Sequence, residues 1–288
     1  MSPSRFDKTP FVQSVLHPTD LSEDSDRAFA HALAIALVRE TKLTILNVGD
    51  KDRGDSPWTD FPGVRETLES WGLLEPGSPR SAVYEELKIR VKKVAIGSRD
   101  PLTAILDFQR EKPSDLIVLA THGRDGLPRW ILGSVSEPLA RKSKAMTLFV
   151  PSGARGFVSP RDGSISLHNV LIPVDHEPRP DAAIQFATRS AEAVGGGVVA
   201  ITLLHVGESE PPALELPESR ACSWNRVRRE GDPVDEILQV ASEVSADLIA
   251  MVTAGHQGIL DAVRGSTTER VLRSAPCPLL AVPAARAG

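Results

Sequence analysis

An α/β architecture made twice, each copy an open parallel five-stranded sheet with helices on both faces, is what this 288-residue sequence predicts. Three observations predict it. Short apolar runs alternate with amphipathic stretches, the pattern of strand–helix–strand units whose parallel sheet is covered on both sides. Matching residues recur at a fixed separation: Asp100-Pro101 and Asp232-Pro233, Asp115 and Asp247, Gly123 and Gly255, Gly133 and Gly265, Pro151 and Pro283 all stand 132 positions apart. The length suits about two domains, and 41% of the residues are hydrophobic, enough for two packed cores. Asp175 follows Asp20 by 155 positions, so the first copy carries about 23 extra residues, which the 50–80 region accounts for. The copies are assigned to 11–151 and 168–284, joined by a linker at 152–166 rich in Gly, Ser, Pro and Arg.

The elements of the first copy follow in order. Residues 11–17 read as a first strand ending in Pro18-Thr19-Asp20. Ser22 to Ser25 can cap a helix whose Ala28, Ala32, Ile35 and Ala36 share one face. Residues 41–48, rich in β-branched side chains and Leu, form a second strand. The 50–80 region, with Trp58 and Trp71, reads as a loop plus a short amphipathic helix over 64–71, the tryptophans packing rather than stacking on a ligand. Alternation over 84–96 predicts a third strand. Asp100 caps a helix with Pro101 at its first position. Residues 115–120 form the fourth strand, 134–142 a helix and 147–150 a fifth strand. The second copy repeats the plan, with Val170-Leu171-Ile172-Pro173-Val174-Asp175 matching the end of strand one. Gly195-Gly196-Gly197 follows a helix rather than a strand and reads as a helix C-cap. The last strands, 147–150 and 279–282, are predicted to join the copies as an internal pseudo-dimer.

The stretch from Leu119 to Ser134 concentrates the chemistry. A buried strand opens into a glycine-containing loop and then a helix start, where free backbone N–H groups and the positive end of the helix dipole favour an anion. The second copy retains Gly255, Gly265 and Ser266. Two readings of Gly-Ser stand side by side. Ser134 with Glu137, and Ser266 with Glu269, have the spacing of capping boxes, in which the two side chains satisfy backbone donors at a helix start. Capping and phosphate binding are compatible, because further N–H groups remain. Asp20 likewise reads either as a ribose-binding carboxylate or as part of the cap of the first helix. His122 reads either as a donor to phosphate or as an ordinary surface histidine.

Composition narrows the function. A net charge of −5 gives no bulk attraction to nucleic acid. The basic run 88–93 alternates with apolar residues and reads as a solvated strand face. Two cysteines, Cys222 and Cys277, without metal-like spacing, fit a reducing compartment, so the chain is expected to be soluble and cytoplasmic. The polar residues 1–10 do not read as a signal peptide, and no apolar run approaches the ~18 residues that a membrane span needs. A Walker-type loop, a Gly-x-Gly-x-x-Gly after a strand and a Gly-x-Ser-x-Gly elbow are all absent from the sequence. His17-Pro18-Thr19-Asp20 lacks the second histidine of a nucleotidyl-transferase site. No catalytic residue and no metal site are expected.

Pro18-Thr19-Asp20-Leu21-Ser22, the Asp115-Leu116-Ile117-Val118 strand, and Thr121-His122-Gly123 followed after nine residues by Gly133-Ser134-Val135-Ser136-Glu137 resemble the universal stress protein family in its tandem two-domain form. The resemblance covers both copies and implies a fold of the adenine nucleotide α-hydrolase-like type. It implies a site for ATP or another adenine nucleotide, with or without Mg²⁺, at the carboxyl ends of the strands. Carried over residue by residue, it places Pro18 and Asp20 there, Asp20 meeting the ribose or adenine edge, and presents the backbone of Val48 to the adenine. Gly123, Gly133 and Ser134, with the backbone of Val135, would hold the phosphates. The family's first glycine is here Ala120, one methyl larger. Glycine admits a phosphate where a Cβ would stand in the way. In the second copy that position is Val252, so a site of Asp175, Val206, Gly255, Gly265 and Ser266 is expected to bind weakly or not at all. The resemblance implies a stress-response regulator that binds nucleotide mainly in its first copy, with hydrolysis at most very slow. A nucleotide-independent structural and interaction module is the alternative, and an adenylyl-transferring enzyme, which would need a basic catalytic loop not found in the sequence, is a third. A homodimer and an unidentified protein partner are compatible with both of the first two; nucleic acid and membrane partners are not expected.

Overall fold

The computed structural model describes residues 12–49, 58, 61–121, 138–139, 142–143, 145–151, 153–194, 196–253 and 267–284, with Asp24 described by its backbone alone. Ten strands form one sheet: β1 (Ser14–Thr19), β2 (Lys42–Gly49), β3 (Arg90–Gly97), β4 (Leu116–Thr121), β5 (Met146–Pro151), β6 (Asn169–Pro173), β7 (Val199–Val206), β8 (Cys222–Arg229), β9 (Leu248–Thr253) and β10 (Leu279–Pro283). Their order is β3-β2-β1-β4-β5-β10-β9-β6-β7-β8. Every neighbouring pair is parallel except β5 and β10, which run antiparallel with Leu148 opposite Leu280. Two five-stranded parallel sheets thus meet through their last strands, as the sequence predicts.

Helices cover both faces: α1 (Asp24–Val38), α2 (Val64–Ser70), α3 (Ala82–Glu85), α4 (Pro101–Glu111), α5 (Asp181–Val194), α6 (Pro233–Glu243) and α7 (Thr267–Leu272). Strand alternation sorts the core into two layers. Leu116, Val118 and Ala120 of β4 join α1, α2 and α5 on one face, while Ile117 and Leu119 join α4, α6 and α7 on the other. The central strands are buried on both faces, hence their continuous apolar runs. Asp100 caps α4 by accepting from the Thr103 N–H at 3.1 Å, and Asp232 caps α6 by accepting from the Val234 N–H at 2.9 Å; each is followed by the expected Pro.

The repeated Asp-Leu-Ile has a structural role. Asp115 Oδ2 accepts from the Gln13 N–H at 2.8 Å and the Ser14 hydroxyl at 3.0 Å. Asp247 Oδ2 accepts from the His168 and Asn169 N–H groups at 2.8 and 2.9 Å. In each copy one carboxylate before the fourth strand ties down the start of the first, fixing the amino end of the sheet.

Four expectations need correction. The first strand begins at Ser14 rather than 11: Val12 has φ 45, and the Gln13 N–H goes to Asp115. The alternation over 84–96 is not one strand; α3 occupies its first residues, and Lys88, at φ 58, turns the chain into β3. Buried Ala82 and Ile89 hold both sides of that turn. Neither Ser22 nor Ser25 caps α1; its N-cap is Glu23, without a side-chain bond, and both serine hydroxyls instead donate to Asp20. The 152–166 segment is more than a spacer. Phe157 and Val158 are buried, Val158 pairs antiparallel with Ile165, and the Trp71 indole N–H donates to the Pro160 carbonyl at 3.0 Å. Trp71 thus packs, as expected.

His31 of α1 receives this hairpin. Its Nδ1 donates to the Arg27 carbonyl at 2.7 Å, so Nε2 is the acceptor, and the Phe157 and Val158 N–H groups reach it at 3.2 and 3.3 Å. Burial, the largest cause, holds the pKa of this ring down to about 4. Arg27 donates to the Ala154 carbonyl, and Arg155 to Asp247, so the segment is tied to both copies. Gly156 lies under the imidazole; a Cβ there would stand 2.5 Å from His31 Cε1. Gly156→Val is therefore expected to unseat the hairpin and destabilise the fold by about 2 kcal/mol, read as a lower urea midpoint; an unchanged midpoint would show that the hairpin contributes little.

Candidate functional site

In each half the chain leaves β1 (or β6) for β2 and β3 (β7 and β8) on one side and then returns to β4 (β9) on the other. The crevice at the carboxyl ends of β1 and β4 is thus a topological switch point, the usual ligand position in an open α/β sheet. The ladder opens there. β1 stays registered with β2 as far as Thr19 opposite Asn47, but pairs with β4 only at Val15–Leu116 and Leu16–Ile117. β6 and β9 likewise pair only at Val170–Leu248 and Leu171–Ile249. This explains a proline inside each central strand. Pro18 and Pro173 lack an N–H, which a continuous ladder would need, but they fall where the strand has already parted from its neighbour.

Side chains occupy the parting. His17 is fully buried, its Nδ1 donates to the Val118 carbonyl across the gap at 2.9 Å, and its Nε2 has no partner. Burial, the largest cause, lowers its pKa to about 4 against the opposing pull of the Val118 carbonyl and the Asp20 carboxylate. Phe29 and Phe61 lie 6.1 and 6.4 Å from the ring, centroid to centroid, and Trp58 meets Phe61 edge-on. Lys93 places its Nζ 5.3 and 5.4 Å from the Trp58 and Phe61 rings, and burial lowers its pKa. Part of the 50–80 region thereby walls one side of the crevice.

The residues expected at the nucleoside lie at the ends of the neighbouring strands β2, β1 and β4. Asp20 is exposed immediately beyond β1; Val48 is half-buried near the end of β2; Ala120 is buried near the end of β4, opposite Val150. The Asn47 amide donates to the Thr19 carbonyl at 3.0 Å, tying the two strand ends beside Val48. Asp20 is held: its Oδ1 accepts from the Ser22 N–H at 3.1 Å, the Ser22 hydroxyl at 2.6 Å and the Ser25 hydroxyl at 3.0 Å, while Leu21 takes a φ of 65. Gly123, Gly133, Ser134 and Val135 lie outside the described residues, as do Gly255, Gly265, His122, Glu137 and Ser266, so neither capping box is described as a pair; Glu269 lies in the first turn of α7.

The second copy builds the same corner with other residues. His205 stands in place of Asn47 and donates from Nδ1 to the Val174 carbonyl at 3.1 Å, the counterpart of Thr19. Its Nε2 accepts from the Ser209 hydroxyl at 3.2 Å, and Arg228 donates to the Glu208 carbonyl at 2.6 Å. His176, next to Asp175, lies with Nε2 2.9 Å from the Glu210 carbonyl. The 207–210 segment is thus drawn across the end of β6, over the corner beside half-buried Val206. Sequence reasoning did not assign Asn47 or His205 to the site; the signal was their shared place before Val48 and Val206. His17 was noted only in a transferase motif, and its partner on β4 was not apparent from sequence.

Cys277 is buried at the approach to β10, where burial, the largest cause, pushes its thiol up to about 12. Among the described residues no three His, Cys, Asp or Glu side chains form a metal-ligating group, and no helix is long and apolar enough to cross a membrane.

Known proteins match both halves. The universal stress protein family model matches residues 12–151 and 215–283. Universal stress protein Rv2005c of Mycobacterium tuberculosis is 24% identical over 91% of this chain and 94% of its own length. Universal stress protein MJ0531 of Methanocaldococcus jannaschii is 45% identical over 48% of this chain and 81% of its own. The crystal structure of a universal stress protein from Archaeoglobus fulgidus covers 96% of this chain and 97% of its own with a TM-score of 0.61 at 21% identity, a likeness of fold.

The buried His17 has a pH consequence. Its folded pKa near 4 lies below the ordinary 6.5, so between those values the unfolded chain takes up a proton that the folded chain excludes. Stability is complete above pH 6.5, declines as pH falls, and has lost roughly 3 kcal/mol for this one ring below pH 4. His31 adds a similar loss. Urea midpoints at pH 7, 5.5 and 4.5 should fall in that order, and His17→Leu should shallow the decline by one histidine's share. An unaltered slope would mean that the folded ring takes up its proton as readily as the unfolded one.

Proposed function

Since the chain belongs to the universal stress protein family, we propose that its first half binds an adenine nucleotide, ATP or AMP, at the parted ends of β1 and β4, and that the protein acts in the cytoplasm as a stress-response regulator. The observation that carries this reading is the early end of the β1–β4 ladder at Leu16 and Ile117, which frees backbone groups at a switch point beside Asp20 and Val48. The residues fit the nucleoside. An exposed carboxylate stands next to a half-buried strand end whose backbone can meet an adenine edge, and Ala120 adds only a methyl where the strand ends. The phosphates would fall to Gly123, Gly133, Ser134 and Val135, and a Mg²⁺ ion would enter with them. The chain's own part is to bind and orient, and hydrolysis on this reading is slow or absent. Occupancy would couple the 123–133 loop to the surface around it and so to a partner protein.

The second half is read as a weak or lost site. Val252 replaces the small residue, and the 207–210 segment is drawn over the corner beside Val206. One observation favours the nucleotide-independent reading for the whole chain: Oδ1 of Asp20 already accepts three hydrogen bonds from Ser22 and Ser25.

Melting and calorimetric titration with ATP–Mg²⁺ separate the readings. At 100 times its dissociation constant the ligand should stabilise by about 2.7 kcal/mol, with one site per chain, and Gly133→Glu should abolish the shift. Two sites per chain would restore the second copy. Absence of any shift at millimolar ATP would leave the interaction module as the function.

A further inference from the structure

The two outermost strands differ in what they offer. β3 has β2 on one side and, among the described residues, no strand on the other. The Arg90 N–H donates to the Thr41 carbonyl at 3.3 Å and the Ser98 N–H to the Gly49 carbonyl at 2.9 Å, with β2 and β3 in unbroken register between. Even-numbered residues of β3 therefore bond β2, and Val91, Lys93, Ala95 and Gly97 turn their N–H and C=O groups to the outer flank. Ala95 and Gly97 are exposed and have too little side chain to screen those groups.

Charge gathers on the same strand. Lys42 lies opposite Arg90 in the ladder and Lys92 follows two residues on, so the three share one face of the sheet. All three are exposed, and Lys42 and Lys92 have no ion pair among the described residues. Arg90 is held in place by Tyr84: its Nη2 donates to the Tyr84 hydroxyl at 3.1 Å, and the guanidinium stands 4.8 Å from the ring centroid. Lys93, on the other face, is engaged with the Trp58 and Phe61 rings. The second copy does not repeat the arrangement. Val206 stands opposite Arg229 as Val48 stands opposite Ile96. Arg228 thus replaces Ala95 and is bound to the Glu208 carbonyl, while neutral Ser223 and Asn225 replace Arg90 and Lys92.

We propose that the outer flank of β3 takes an extended acidic segment of a partner protein as an eleventh strand. Its backbone would bond Val91, Lys93, Ala95 and Gly97, and its carboxylates at alternate positions would meet Arg90 and Lys92. Backbone bonds supply affinity for any strand; the cations choose the sign of the one admitted. They discourage a second copy of this chain without discouraging a strand of opposite charge. The chain as a whole is at −5, so the attraction is local to this flank. β2 and β1 separate β3 from β4, so the inference stands whether or not the crevice takes a nucleotide.

The test is fluorescence anisotropy of a labelled, end-blocked octapeptide of alternating Glu and Val, titrated with the full chain. Saturable binding at one peptide per chain is expected, unchanged by ATP. An alternating Lys and Val peptide should bind at least tenfold more weakly, and so should the acidic peptide N-methylated at every residue, which keeps its carboxylates and loses its donors. Lys92→Glu should weaken binding about tenfold. Ala95→Pro, which removes an outward N–H that β2 does not use, should weaken it as much with the circular dichroism unchanged. Should Ala95→Pro not fold, the N-methylated peptide reads the same backbone bonds. Arg226→Glu, on β8, should leave binding as it is. Absence of saturable binding, equal binding of the Lys peptide or the N-methylated peptide, an unaffected Lys92→Glu, or loss in Arg226→Glu would each overturn the proposal.

Discussion

The antiparallel pairing of β5 with β10 is the constraint from which the rest follows. Parallel strands need a long crossover to become neighbours, whereas two antiparallel edge strands pair directly. Each copy would otherwise present its fifth strand, apolar on both faces, to solvent. Joining them buries both edges, carries two core layers across the axis, and places Leu148 against Leu280. It also fixes what cannot be filled: α1 and α5 belong to their own sheets, so the surface over the axis depends on the 152–166 segment.

Much of this was legible in the sequence because duplication is itself a measurement. Residues that recur 132 positions apart without a gap, such as Asp115 with Asp247 and Asp100 with Asp232, had to be performing the same task twice. The structure names the tasks as a clamp on the first strand and a helix cap. What escaped was local or asymmetric. Alternation of apolar residues from Tyr84 onward cannot distinguish a short helix followed by a strand from one long strand, and only the left-handed Lys88 settles it. The hairpin around Val158 and Ile165 has no counterpart in the chain, so no repeat could flag it. For the site, Pro18, Asp20, Val48 and Ala120 were found at the strand ends from sequence. The Asn47 tie and the His17 bridge were not, because each depends on which strand becomes the neighbour.

The two halves show how one scaffold diverges. Both tie the end of the second strand to a carbonyl at the end of the first, by Asn47 in one and His205 in the other. A carbonyl needs only a donor, and an amide and an imidazole both supply one. The imidazole has a second nitrogen, and in the C-terminal half it accepts from the Ser209 hydroxyl, so the segment after β7 is held close. The N-terminal half has an imidazole elsewhere, at His17, where the other copy has Ile172, and there its free lone pair is enclosed by aromatic rings.

The outermost strands carry a different burden. Among the described residues the sheet ends in β3 and β8, which have no further strand beside them, and such flanks invite further chains to add on as new strands. Both strands are studded with cations: Arg90, Lys92 and Lys93 on one, Arg226, Arg228 and Arg229 on the other. Two molecules approaching edge to edge would bring like charges together before any backbone bond could form. Arg228 and Arg229 are themselves paired with Glu210, Glu236 and Glu243, so what opposes at the rims the pairing that fuses the copies at the centre is the remaining charge of Arg90, Lys92 and Arg226.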